Sequence, residues 1–298
     1  MKKVILTGAS GFIGQNTSAA LAAEGYELHL LSRRQPAAGG AGIWHSCDLL
    51  DSKAVEGIMD KIKPDSLLHL AWYAEHGKYW ESPLNLDWLS ATLNLARAFA
   101  ESGGKRLVCV GSAAEYDWSC SVCHEKNSPL VPSSLYGAAK HSLNITLEAF
   151  ARNVKLSYAW ARLFSVFGPG ENLKRFVPAV TLALLKGQPP VCPSPELKRD
   201  FLYVKDMSAA LIALLCSEVT GPVNIASGQP LMAKDLIANI ARLTGKADNT
   251  SYGSAPSPYP LVIADVARLR NEVGWQPAFS LEQALSETIT YWKNHQEN

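Results

Sequence analysis

At 298 residues and 47% hydrophobic content, the chain can bury a substantial core without help from metals or disulfides. Its 28 Lys plus Arg offset 27 Asp plus Glu, leaving a net charge of +1, so there is neither a basic stripe for nucleic acid nor an acidic tail. A small-molecule ligand is expected, with no nucleic-acid partner.

The chain opens on a strand-like run, Lys3-Val4-Ile5-Leu6-Thr7, followed by Gly8-Ala9-Ser10-Gly11-Phe12-Ile13-Gly14 and a helix expected from about Phe12. A strand, a glycine turn and a helix make the setting of a dinucleotide phosphate loop. Gly8 permits the tight turn, Gly11 lets backbone approach a pyrophosphate, Gly14 allows close helix–strand packing, and the helix N-terminus offers free N–H groups. An ordinary glycine-rich turn is the alternative. The same glycines interrupt the segment too early for the apolar centre of a secretory leader. No run reaches the roughly 20 apolar residues that cross a bilayer. The six cysteines sit mostly alone in apolar runs, as small hydrophobes do in a reducing compartment, so a cytoplasmic protein without a membrane partner is expected.

The second strand-like run, Glu27 to Leu31, ends in Ser32-Arg33-Arg34. A carboxylate there would bind ribose hydroxyls, whereas a guanidinium pair holds a 2′-phosphate by charge-assisted hydrogen bonds. NADP(H) is therefore favoured and NAD(H) is possible, unless both arginines are simply solvated. Asp48, after a third strand, stands where it can meet the adenine amino group. Further strand-like runs at 67–71 and 107–111 alternate with helical ones, calling for a parallel sheet covered on both faces. The segment 72–80 is unusually aromatic, and either shapes a substrate pocket or packs a loop onto the next helix. His76 within it is a candidate only.

Ser112 ends the strand at 107–111. Beyond it, Cys120, Cys123 and His124 invite a metal reading, but a structural zinc needs four ligands and no second pair stands at zinc spacing. No metal is expected, and the thiols are read as belonging to a loop near the substrate. Tyr136 and Lys140 follow at i, i+4 spacing near the start of a helix running to about Asn153, which puts both on one face. Tyrosine, with a pKa of about 10, is a poor base at neutral pH, and a nearby ammonium favours its phenolate. Ser112 can hydrogen-bond the reacting oxygen from the same rim of the sheet, where ligands of open α/β folds bind. These three residues are the candidate catalytic set. After Phe164 prolines become more frequent and elements shorter. The expected organisation is a cofactor-binding domain at 1–164 and a mainly substrate-binding region at 165–298, with a segment near 222–226 returning to the first.

In this order the motifs resemble the extended short-chain dehydrogenase/reductases, in particular the NAD(P)-dependent nucleotide-sugar epimerase/dehydratase family. The resemblance spans nearly the whole chain. It continues through Arg162 to Pro169, Arg199-Asp200-Phe201-Leu202-Tyr203-Val204-Lys205-Asp206, Asn224-Ile225-Ala226 and Gly274-Trp275-Gln276-Pro277. It implies an α/β fold: a Rossmann-type doubly wound parallel sheet with a smaller C-terminal α/β substrate-binding region. Hydride would pass between the nicotinamide and a sugar carbon, Tyr136 would exchange the proton of the sugar oxygen, Lys140 would hold the nicotinamide ribose and lower the tyrosine pKa, and Ser112 would orient the substrate. Cofactor contacts are implied from Ser10, Phe12, Ile13, Leu49, Leu70, Ala71, Trp72, Val110, Phe164 and Val166. Substrate contacts are implied from Ala113, Ser165, Asn172, Arg199 and Arg268, with Arg199 on the nucleotide diphosphate unless it merely pairs with Asp200 or Asp206.

Departures from the family pattern narrow the chemistry. Dehydratases of the family carry Thr-Asp-Glu beginning at the position of Ser112, but here Ala113 and Ala114 can neither donate nor accept a proton. Glu115 lies one place later, where alternation along an extended segment would point it elsewhere. Ser165 stands where many relatives have a phosphate-contacting asparagine. The expected activity is NADP(H)-dependent reduction of a nucleoside diphosphate 4-keto-6-deoxy sugar. The rivals are a nucleotide-sugar 4-epimerase that retains its cofactor and a non-catalytic NADP(H)-binding regulator. In the resembling family, counterparts of the helix at 83–102 and the helix after Tyr136 pair across a dimer interface, so a homodimer is expected.

Overall fold

Runs such as Val4-Ile5-Leu6 are apolar on both faces, as suits strands covered from both sides. The computed structural model describes residues 2–33 and 42–295; Arg34 lies outside the described residues. The N-terminal part forms β1 (Lys3–Thr7), α1 (Phe12–Ala23), β2 (Glu27–Ser32), β3 (Ile43–Ser46), α2 (Ser52–Ile62), β4 (Ser66–His69), α3 (Leu84–Glu101) and β5 (Arg106–Ser112). Next come β6 (Val122–Cys123), α4 (Leu135–Val154), β7 (Ser157–Leu163), β8 (Ser165–Phe167), α5 (Phe176–Leu185), β9 (Val191–Cys192), β10 (Lys198–Tyr203) and α6 (Val204–Cys216). The chain ends with β11 (Gly221–Ile225), β12 (Pro230–Met232), α7 (Ala233–Thr244), β13 (Ser251–Tyr252), β14 (Leu261–Ala264), α8 (Ala267–Asn271) and α9 (Leu281–Asn294).

The main sheet is parallel, with strand order β11-β7-β5-β4-β1-β2-β3. This is the doubly wound, Rossmann-like arrangement. From β1 the chain goes to β2 on one side and later to β4 on the other, so a crevice opens beyond the carboxyl ends of β1 and β4. Side chains divide by alternation. Val4, Leu6, Ala159 and Ala161 join the core that includes Leu21 of α1 and Leu211 of α6. Ile5, Tyr158 and Trp160 join the opposite one, with Met59 of α2, Phe99 of α3 and Leu147 of α4.

A buried imidazole ties β1 to β4. His69 Nδ1 lies 2.8 Å from Thr7 Oγ1, which also accepts from the Ala71 N–H at 3.3 Å. Its Nε2 lies 3.1 Å from Thr92 Oγ1, whose own proton goes to the Trp88 carbonyl at 2.7 Å. Nε2 therefore carries a proton, burial pulls the ring pKa down to about 3 and so keeps it neutral, and the bare Nδ1 accepts from the Thr7 hydroxyl. Both strand ends that border the crevice are thus fixed.

A second, smaller sheet runs β12-β10-β14-β6, with β8 also on β10, and a core of Val177, Leu184, Leu236, Ile240, Leu285 and Ile289 joins α5, α7 and α9 beside it. Asp200 on β10 accepts from the Ser227, Gly228 and Ala264 N–H groups at 2.8, 2.9 and 3.3 Å and from the Ser227 hydroxyl at 2.6 Å. It thereby binds the small sheet to the chain leaving β11, which itself lies in the main sheet beside β7.

Candidate active site

The crevice is a cavity of about 520 Å³ that runs from the glycine turn to the loop after β8. Gly8 has φ +73°, and a Cβ there would stand 2.8 Å from the Ala71 nitrogen; at Gly14 it would run into the Gly8 carbonyl. Gly11 occupies the N-cap of α1, and no side chain caps that helix. Bare backbone, free first-turn N–H groups and the helix dipole suit a pyrophosphate, so the residues present fit a dinucleotide. Ser10, Phe12 and Ile13 continue this wall, and Ser32, Arg33, Asp48 and Leu49 line the far end. The Asp48 carboxylate also accepts from the Leu50 N–H at 3.1 Å. Leu70, Ala71, Trp72, Val110, Phe164 and Val166 line the middle, and Asn172 lines the other end.

Two local contacts orient α4. Ser134 caps it by accepting from the Gly137 N–H at 3.1 Å, and Glu81 accepts from the Leu135 N–H at 3.3 Å. Tyr136 falls in the first turn and Lys140 one turn on, and both line the cavity with Ser112. The Lys140 ammonium donates to the Val110 carbonyl at 2.8 Å and sits 3.7 Å from the Trp72 ring centre. Burial pulls its pKa down to about 7. Burial pushes the Tyr136 phenol above its ordinary value, while hydrogen bonding from Ser112 and the charge of Arg175 work against that rise. The ring of Tyr136 is boxed edge-on by Tyr79, Trp80 and Trp72 at 4.9, 5.8 and 6.4 Å. The aromatic segment thus both lines the cavity and packs a loop onto the next helix. Trp72, Ala74, His76 and Tyr79 line the cavity, while Trp72 also packs on Trp88 of α3.

Glu115 corrects one premise of the sequence reading. The backbone after Ser112 is not extended: Ala113–Glu115 is a 3₁₀ turn capped by Ser112, which turns Glu115 fully into the core. One carboxylate oxygen accepts from the Ser112 N–H at 2.8 Å, both accept from Trp160 Nε1, and the other accepts from Arg162 Nε at 2.9 Å. Arg162 goes on to Tyr116, whose hydroxyl donates to Asn224 at 2.7 Å. This buried network carries the strand end that presents Ser112.

Four expected substrate contacts are not brought to the cavity. Ala113 faces the core beneath the turn, with its carbonyl taken by Trp118 Nε1 at 2.7 Å. Ser165 lies between the cavity-lining Phe164 and Val166, so strand alternation turns it away. Arg199 lies over the Trp118 ring at 5.7 Å and donates to the Lys198 carbonyl, while the Asp200 and Asp206 carboxylates accept backbone N–H groups instead of pairing with it. Arg268 fastens α8 to the start of β11 through the Thr220 and Pro222 carbonyls, at the amino ends of the strands and opposite the crevice. Cys123 is buried in β6, and the described residues contain no group of three metal-ligating side chains. They also contain no helix long and apolar enough to cross a membrane.

In place of those arginines, the cavity holds Tyr79, Glu171 and Arg175. Glu171 Oε1 accepts from Arg175 Nε at 3.3 Å, and burial pushes this carboxyl up to about 7. The available signal was an i, i+4 pair of opposite charges directly after the Gly168-Pro169-Gly170 turn.

Residues 4–226 match the family described as "NAD dependent epimerase/dehydratase family". The chain is 26% identical to UDP-glucuronic acid decarboxylase 1 of Xenopus tropicalis, over 100% of this chain and 73% of that one. It is 24% identical to GDP-6-deoxy-D-mannose reductase of Pseudomonas aeruginosa, over 98% of both. Among solved structures it is similar to UDP-N-acetylglucosamine 4-epimerase of Methanobrevibacter ruminantium, at 25% identity and a TM-score of 0.88 over 99% of both chains. The chain belongs to the NAD-dependent epimerase/dehydratase family of extended short-chain dehydrogenase/reductases, enzymes that act on nucleotide sugars.

Proposed function

We propose that the protein reduces the ketone of a nucleoside diphosphate 4-keto-6-deoxy sugar with NADPH. The observation that carries this reading is the meeting of Ser112 and Tyr136 in the wall of the cavity whose other end is the glycine cradle. When bound, the nicotinamide supplies a hydride to the sugar carbonyl carbon. Tyr136 gives its phenolic proton to the carbonyl oxygen as the C–O double bond becomes single, and Ser112 donates a hydrogen bond to the same oxygen. Lys140, poised near neutrality, holds the ribose and can resupply the proton. Alanines at 113 and 114 leave no acid–base pair for eliminating water. The Trp72 and Tyr79 rings suit a methyl group at C6, and Arg33 beside Ser32 suits a 2′-phosphate. Similarity to a 6-deoxy sugar nucleotide reductase supports the same reading.

Similarity to 4-epimerases supports a second reading, in which the same three residues act and the hydride returns to the opposite face. Incubation with NADPH or NADH and the UDP-, dTDP-, GDP- and CDP-linked keto sugars separates them. Reduction consumes one cofactor per sugar alcohol formed, and Tyr136→Phe slows it at least about 100-fold. Interconversion of 4-epimers without net cofactor loss would replace the reductase reading with the epimerase. Cofactor binding without any turnover would favour a regulator.

All six cysteines are free thiols, which supports a cytoplasmic setting. Helices α3 and α4 pack together and leave Leu86 and Ile145 more than half exposed, at 56% and 55%. These support a homodimer through that helix pair, and sedimentation as a monomer at micromolar concentration would refute it.

A further inference from the structure

Glu171 is an expensive residue to bury, and its bonds inside the protein do not explain its place. Its side chain is 6% exposed, one oxygen has a single partner, Arg175 Nε at 3.3 Å, and the other oxygen has none. An ionised carboxylate offers about four acceptor sites, and a buried one left short of donors is strongly unfavourable. Such a group calls for a donor that comes from a ligand.

Its location says which part of the ligand. Glu171 and Asn172 follow the glycine turn, where the Glu171 N–H reaches the Gly168 carbonyl at 3.3 Å and the Arg175 N–H reaches the Asn172 carbonyl at 2.9 Å. The Arg175 guanidinium is close enough to the Tyr79 phenol to work against the rise in pKa that burial causes, and the Tyr79 ring is 4.9 Å from that of Tyr136. The pair thus lies on the side of the reacting carbon, away from the glycine cradle. The ionised carboxylate and Arg175 together form a neutral pair, which suits an uncharged sugar ring. Donors on such a ring are its hydroxyls.

Taking the site as one for nucleotide sugars, we propose that Glu171, held by Arg175, is a specificity-determining residue whose free oxygen accepts a hydrogen bond from a hydroxyl of the hexose. A charge-assisted bond of this kind, formed out of water, separates sugars that carry the hydroxyl from those that lack it.

The experiment measures what the sugar adds to binding. Protein saturated with NADP⁺ is titrated calorimetrically with UDP-, dTDP-, GDP- and CDP-glucose and with the four bare nucleoside diphosphates. For the accepted nucleoside, the glucose conjugate should bind at least about tenfold tighter than its diphosphate. Glu171→Ala should erase that gain and Glu171→Gln should reduce it several-fold, while the affinities for the bare diphosphate and for NADP⁺ stay within about twofold of wild type. A merely structural role would weaken all three ligands together, and that result would overturn the proposal. So would an unchanged gain in both variants, or a wild-type protein to which no conjugate binds better than its diphosphate. The reductase reading is judged separately, by NADPH oxidation.

Discussion

Two buried glutamates, each paired with an arginine, stand near Tyr136, and they differ in how far their hydrogen bonding is complete. Glu115 takes donors from Ser112, Trp160 and Arg162 on its two oxygens, and Arg162 has further partners of its own. Glu171 has one long bond to a half-exposed arginine and one oxygen without a partner. Both side chains are shielded from water, so burial alone does not separate them. A saturated carboxylate belongs to the scaffold, whereas an unsaturated one in a cavity wall is open to a ligand.

The largest expected effect breaks the saturated pair. Arg162→Met leaves the Glu115 carboxylate buried without its cation, and should lower the unfolding free energy by about 3–5 kcal/mol. Urea denaturation followed by tryptophan fluorescence measures this. A loss below about 1 kcal/mol would mean that the network does not carry the strand end beneath Ser112.

The contrast also explains what could be read from the sequence. The glycine turn is legible because its demand is on backbone: a positive φ at Gly8 and no room for a Cβ at Gly14. Tyr136 and Lys140 are legible because helical spacing alone puts them on one face. Arg199 and Arg268 are not, since long side chains take whichever partners the tertiary fold supplies, here Trp118 for one and two carbonyls near β11 for the other. Glu115 does point away from the cavity, as expected, but by a different route, because strand alternation stops where Ser112 caps a turn. Glu171 and Arg175 look like an ordinary surface pair until the loop folds them against Tyr79.

Lys140 sharpens the comparison from the cationic side. Its pKa is about 7 in the folded protein against an ordinary 10.5, so the unfolded chain binds more protons between those values. The stability this group contributes is complete above the unfolded pKa and is lost as pH falls toward 7. Lys140→Met removes that penalty. It should raise stability at pH 7 by about 1–3 kcal/mol while abolishing turnover, with the gain constant below pH 7 and shrinking toward pH 10. A destabilised variant would show that the bond to Val110 and the Trp72 contact outweigh desolvation.

The smallest effect concerns Glu171 itself. Its carboxyl titrates at about 7 when folded against an ordinary 4.5, so the sign runs the other way: the stability it contributes is complete below the unfolded pKa and is lost as pH rises through 7. The charged group acting on it is Arg175, which opposes the shift, and Tyr79, Tyr136, His76 and Lys140 line the same cavity. Glu171→Gln should match wild type near pH 4 and become more stable by about 1 kcal/mol above pH 7, because relief from burying the charge exceeds the loss of one long ion pair. Melting temperatures from pH 4 to 8 test this. If the variant were instead less stable throughout, Glu171 would be holding the loop before α5 in place, and the two pairs would differ in degree rather than in role.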